Sequence, residues 1–146
     1  MVVNVTSVLL LATTLTVASY DISDYRKAFE SQQEGEIIRC LRYLDEMDKR
    51  SRLEELYYAS FLCIEASYSY NPYTKYSKFS KGYGIVNVLI KRNPSNAEMR
   101  IHRYMIEKNA PSFLISQNHQ VEDKKVILDG YSRGDPLYET IIKEVK

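Results

Sequence analysis

Tryptophan is missing from this 146-residue chain, and chain breakers are scarce, with five glycines and four prolines. An all-β fold needs many tight turns, so this scarcity argues against one. Histidine and cysteine occur only twice each. Two cysteines without a clustered histidine argue against a zinc site. The net charge of +1 leaves no global field to draw in nucleic acid or acidic lipid. No Gly-x-Ser-x-Gly, His-Glu-x-x-His or P-loop string occurs, and no cofactor is expected. With 45% hydrophobic and 27% charged residues, wholesale disorder is also excluded. The length fits one domain.

The first 20 residues carry no charged side chain. Val8-Leu9-Leu10-Leu11-Ala12 opens an apolar run that reaches Val17-Ala18, and small residues follow at Ala18 and Ser19. This is the core and cleavage pattern of a secretory signal peptide, so residues 1–19 are read as an export segment and 20–146 as a single helical domain. The run is short for a membrane span, which takes ~20 predominantly apolar residues. Met1 to Ser7 lack the positive charge that a signal peptide wants. A structural N-terminal element and a membrane anchor therefore stand as lesser alternatives to export.

Beyond residue 21, apolar residues recur at spacings of three and four, the period of amphipathic helices. Helices are expected at about 20–32 and 34–48. Ser51 with Glu54 forms a capping box that opens a third helix. Its buried stripe includes Leu53, Leu56, Tyr57, Ser60, Phe61, Ile64 and Ser67. Asn71-Pro72 starts a fourth, since Asn caps well and Pro at the first helical position loses no hydrogen bond. Gly82 and Gly84 lie inside it, where each costs up to ~1 kcal/mol of helix propensity. That cost suggests close packing of a neighbour at both.

Ser95 and Glu98 suggest a second capping box and a fifth helix to about Lys108. A short helical turn follows at 113–115. A sixth helix at about 121–129 carries Val126, Ile127 and Leu128 and stops at Gly130. Asp135-Pro136 opens the last. Six to eight helices with short connections give an all-α fold of antiparallel neighbours in a layered array.

Cys40 and Cys63 both fall on apolar helical faces, where two buried thiols are preferred to a disulfide. Charge is uneven along the chain. Residues 21–48 hold eight acids and four bases, whereas residues 49–92 hold three acids and eight bases. Attraction between solvated helix faces is the simple reading, and a basic docking face the other. His119 with Glu122 and Asp123 offers at most a weak metal set, against an ordinary solvated loop. His102 falls in the fifth helix without an evident nucleophile and orienting acid.

Tyrosine is the compositional anomaly, at 13. Tyr57, Tyr58, Tyr68, Tyr70, Tyr73, Tyr76 and Tyr83 crowd into one stretch interleaved with Lys75, Lys78 and Lys81. Tyr57, Phe61 and Ile64 share a core face. Tyr58, Tyr70 and Tyr73 are expected at a rim, since tyrosine is amphipathic and common in binding surfaces. A tyrosine-rich core, a peptide groove and, least favoured, a nucleobase-stacking surface are the three readings.

The third to fifth helices, with the turn Arg92-Asn93-Pro94-Ser95-Asn96 and Gly82 at a small-residue position, resemble a tetratricopeptide unit. Longer strings point further: Tyr70-Asn71-Pro72-Tyr73-Thr74-Lys75, Glu98-Met99-Arg100, Asn109-Ala110-Pro111-Ser112-Phe113-Leu114 and Val121-Glu122-Asp123-Lys124-Lys125. Over roughly residues 55–130 the chain is similar to a group of small exported, tetratricopeptide-like helical proteins of Gram-negative bacteria. The resemblance implies a right-handed array of antiparallel helix pairs and a periplasmic or secreted location, and no chemistry. The expected function is a non-enzymatic scaffold or protein- and peptide-binding module. Its groove would use Tyr58, Tyr70, Tyr73, Lys75, Lys78 and Lys81. The partner would be a protein or peptide of the cell envelope, with no nucleic acid and no membrane span in the mature chain. A subunit of a larger envelope assembly is the main alternative, and a small metal-dependent enzyme using His102 or His119 a lesser one.

Overall fold

Seven α-helices make up nearly all of the ordered architecture in the computed structural model, which describes residues 18–146: α1 (Ile22–Ser31), α2 (Glu34–Asp45), α3 (Arg52–Tyr68), α4 (Pro72–Arg92), α5 (Ala97–Asn109), α6 (Gln120–Gly130) and α7 (Tyr138–Val145). One 3-10 turn, Ser112–Leu114, follows α5, and no strand occurs among the described residues. The fold is all-α, as the periodicity predicts. Residues 1–17, which hold nearly all of the expected export segment at 1–19, lie outside the described residues, so the export reading rests on sequence alone. No described helix is long and apolar enough to cross a membrane.

Caps set most helix starts. Asp21 and Asp24 form a reciprocal capping box on α1, and Ser51 and Glu54 form another on α3. The Asn71 side chain accepts from the backbone N–H groups of Tyr73 and Thr74 at the head of α4. Helix α1 ends where Gln32 enters the left-handed region (φ 54°) and its N–H bonds back to Ala28, so α2 begins two residues later. The first two helices are shorter than the sequence ranges because this turn and the one after Asp45 cut them off.

Two starts differ from expectation. Asn96, not Ser95, caps α5, accepting from Met99 N at 2.9 Å. Glu98 is thereby released from capping and turned inward. Helix α7 starts at Tyr138 rather than at Pro136. Asp135 first closes a turn by accepting from the backbone and hydroxyl of Ser132. Leu137 then takes a left-handed conformation (φ 66°) that leaves its side chain buried.

Helix α3 is the centre of the molecule, packing on α1, α2, α4 and α5. Every residue from Leu56 to Cys63 is buried. A helix apolar on all sides belongs inside. One of its faces joins Tyr25, Ile37, Ile127 and Ile141 in a core shared with α1, α2, α6 and α7. The other joins Phe79, Val86 and Met99 in a second core shared with α4 and α5. Ser67, past this stretch, is exposed. Cys40 belongs to the first core and Cys63 to the second, both as free thiols. Burial raises their pKa to about 11 and about 12, respectively.

The α3–α4 contact is the most extensive. Gly82 makes it so: a Cβ built there would sit 2.3 Å from the Ala59 carbonyl oxygen and 2.8 Å from Cys63 Sγ. Gly84 has nothing within 4 Å, so close packing explains one glycine and not the other.

Candidate functional site

The Tyr/Lys cluster does not form one groove. Tyr58 is only 3% exposed, because α3 has no solvent face at that level. Its hydroxyl donates to Asp45 at 3.0 Å and accepts from Lys81 Nζ at 2.8 Å, while the Arg50 guanidinium lies 4.0 Å over its ring. Tyr58 is thus a clamp among α2, α3 and α4, not a rim residue. Lys78 pairs with Glu65 of α3 at 2.9 Å. Among the described residues no ion pair joins the acidic 21–48 stretch to the basic 49–92 stretch. They meet instead through Tyr58 on Asp45 and Arg50 on the Leu44 carbonyl. Tyr70 and Tyr73 do project into solvent, at 103% and 85% exposure.

Of the six expected groove residues, only Lys75 borders the main cavity, a hollow of about 550 Å³. The C-terminal half of α3, the N-terminal half of α4, the end of α5 and the 110–114 segment wall it in. Ile64, Ala66, Phe79, Met105, Ile106 and Leu114 give it an apolar surface. Tyr76 and Phe113 stand at it largely exposed, Phe113 at 84%. The polar groups at its margin are few: Gln32, Ser67, Asn109, Lys75 and Glu144. Glu144 is engaged by Lys108 at 3.0 Å, whereas Lys75 has no ion pair among the described residues. Lys81 borders a second, shallower hollow with Val88 and Arg92. The wall from Met105 to Leu114 was not readable as part of a site. Its residues look like helix core and a loop until the chain turns at Pro111.

The histidines are both held by structural partners. His102 is fully buried, stacked on Phe29 at 4.0 Å and edge-on to Tyr57 at 4.7 Å. Its Nδ1 lies 2.6 Å from Ser60 Oγ, and its Nε2 has no partner. Burial lowers its pKa to about 3, so the ring is neutral at ordinary pH. No carboxylate bonds the imidazole; the nearby Glu98 is spent on Arg26 (2.8 and 2.9 Å) and on the Tyr57 hydroxyl (2.6 Å). Burial works against the Glu98 charge, yet these hydrogen bonds hold its carboxyl below the usual range. Ser60 and His102 are therefore packed as part of the core.

His119 bonds Glu107 through Nδ1 at 2.7 Å and through its backbone N–H at 2.6 Å, and Glu107 also accepts from the Tyr83 hydroxyl. Asp123, buried, takes two guanidinium groups, from Arg100 at 2.8 Å and from Arg103 at 2.6 and 2.8 Å. Glu122 pairs with Arg100. His119, Glu122 and Asp123 are each committed elsewhere, and among the described residues no three metal-ligating side chains gather. Of the apolar residues of α6, Ile127 is buried and Leu128 is exposed, while Asp123 faces inward, because α6 docks on α5 through this ion cluster.

No family model, curated protein or solved structure matches the chain. The cavity and its rim are thus the chain's own evidence for what it does. Its size lies within the ~300–1,000 Å³ range of ligand sites, and a mostly apolar lining with few polar groups is their usual make-up.

Proposed function

We propose that the chain is a non-enzymatic binding module, acting as an exported helical scaffold, which receives an apolar segment of a protein or peptide partner of the cell envelope. The observation that carries this reading is the apolar cavity bordered by exposed aromatic rings. A ligand confined to the cavity would leave Tyr70 and Tyr73 untouched. Tyr70 and Tyr73 project into solvent just before and within the first turn of α4, next to the cavity-lining Pro72, and such amphipathic rings are favoured in protein interfaces. The aromatic side chains are also too exposed to be serving the core.

The tetratricopeptide-like reading gains support from the contact pattern. Helices α1, α3 and α5 touch one another in series, besides packing on the helices that follow them. Such repeats stack helix pairs in this manner. They also use their surfaces to hold peptide segments, although fold analogy alone assigns no function.

The test is affinity purification of the tagged, full-length chain from its native cells, run in parallel with two variants. Ser67→Trp adds bulk at the cavity margin on an exposed position of α3. The triple variant Tyr70→Ala, Tyr73→Ala, Lys75→Ala removes the cavity-lining Lys75 and the two exposed rings beside it in sequence without touching the core. A partner recovered with the wild type and lost with both variants supports the module. A partner retained by both would refute this site. A tagged chain beginning near Ser19 or Tyr20 would establish export.

A further inference from the structure

Resting on the binding-module reading, we infer that the segment held in the cavity carries a carboxylate side chain beside its apolar anchors. The argument is one of charge left over at the cavity mouth. Of the two ionised groups there, Glu144 is engaged by Lys108, and Lys75 has no ion pair among the described residues. The neighbouring lysines on the same helix are both occupied, Lys78 by Glu65 and Lys81 by the Tyr58 hydroxyl. The first turn of α4, which borders the cavity through Pro72, holds no acidic residue, whereas each of the other six α-helices has one in its first turn. A negative charge arriving there meets the Lys75 cation, while the Glu144 carboxylate at the same margin is already engaged by Lys108.

The contact is made by the lysine rather than by the helix terminus. Pro72 has no N–H, the Asn71 side chain already takes those of Tyr73 and Thr74, and Lys75 N bonds the Asn71 carbonyl. The backbone donors are spent, and the Lys75 ammonium is the group free to receive an anion. A segment with large apolar side chains would fill the Phe79, Ile106 and Leu114 surface while its Asp or Glu side chain reaches Lys75. A lysine in that place of the segment would face an uncompensated like charge.

The experiment titrates the full chain with two amphipathic model peptides, capped at both ends and identical in their leucine and phenylalanine anchors. One is flanked by glutamate and the other by lysine. Binding is read by calorimetry at low salt for wild type, Lys75→Glu and Ser67→Trp, with circular dichroism showing each variant folded. The glutamate-flanked peptide is expected to bind wild type roughly five- to tenfold tighter, with the difference shrinking in salt. Lys75→Glu is expected to reverse the preference, and Ser67→Trp to weaken both peptides. Equal binding of the two peptides, unmoved by Lys75→Glu, would overturn the charge inference while a loss in Ser67→Trp still upheld the module. Failure of both peptides to bind would overturn the module itself, as would binding of decanoate alone, which would make the occupant a small amphiphile.

Discussion

Replacing Gly82 and Gly84 by alanine, one at a time, should move stability in opposite directions although the two positions share a helix. At Gly82 the new methyl would lie 2.3 Å from a backbone oxygen of α3, where ordinary contact begins at 3.4 Å. The obstacle is main chain, so α4 must withdraw by about 1 Å along the most extensive helix contact in the molecule. Overpacking of this kind costs ~1–3 kcal/mol, and withdrawal also loosens Phe79 and Val86 from their neighbours, which places the effect at the upper end. Alanine regains up to ~1 kcal/mol of helix propensity, leaving a net loss of ~2 kcal/mol. At Gly84 nothing opposes the methyl, so only the propensity gain of ~0.5–1 kcal/mol remains. Urea denaturation reads both, and in melting temperature each kcal/mol corresponds to about 4 °C for a domain of this size. Stabilisation by Gly82→Ala, or equal effects at the two sites, would refute the claim that the α4 backbone at Gly82 lies directly against the α3 backbone at Ala59.

Asp123→Asn should cost ~3–5 kcal/mol in urea denaturation, because it leaves the buried guanidinium of Arg103 without its counter-charge. A loss below ~1 kcal/mol would mean that water, not Asp123, satisfies the two arginines. His102 has its pKa lowered to about 3 by burial, against an ordinary 6.5. The unfolded chain therefore binds the proton more readily, and stability should fall as pH drops from about 6.5 toward 3, by up to ~1.4 kcal/mol per pH unit. Urea midpoints taken between pH 7 and 5 should show that slope in the wild type and lose it in His102→Gln; an unchanged slope would place the titration elsewhere. Both thiols are buried with raised pKa, so a disulfide reagent at pH 8 should react slowly with native protein and with two thiols after denaturation. Fast reaction of Cys63 in the native state would show the cavity wall to be open around it.

The helices were legible where a single residue type decides the local geometry. Ser51 with Glu54 and Asn71 with Pro72 name their caps outright, since the donors they satisfy lie within three residues. Ser95 with Glu98 has the same spelling and a different outcome. Asn96 stands one residue closer to the helix, and Glu98 is worth more inside, bonded to Arg26 and Tyr57. What sequence spacing could not convey is which polar groups find partners far along the chain. Asp123 reads as solvated because its two arginines lie 20 and 23 residues away, and Tyr58 reads as a rim residue because Asp45 and Lys81 come from other helices. The cavity was hidden for the same reason: Lys75 was named from the Tyr/Lys pattern, but the hollow beside it exists only once the chain after α5 folds back over α3 and α4.

The Arg26–Glu98 pair has a bearing on the order in which the molecule assembles. Helix α1 emerges from the ribosome before the other described helices, yet its charged anchor lies 72 residues downstream. Phe29 likewise waits for His102, and Glu30 for Thr140, 110 residues on. At ~5–20 residues per second, the gap to Glu98 alone corresponds to about 4 to 14 seconds of synthesis. During that interval α1 can settle on α2 and α3, but its arginine has no carboxylate to meet. Helix α1 is thus among the last elements to gain all of its partners, its side-chain contacts to α5 and α7 closing only after those helices have been made.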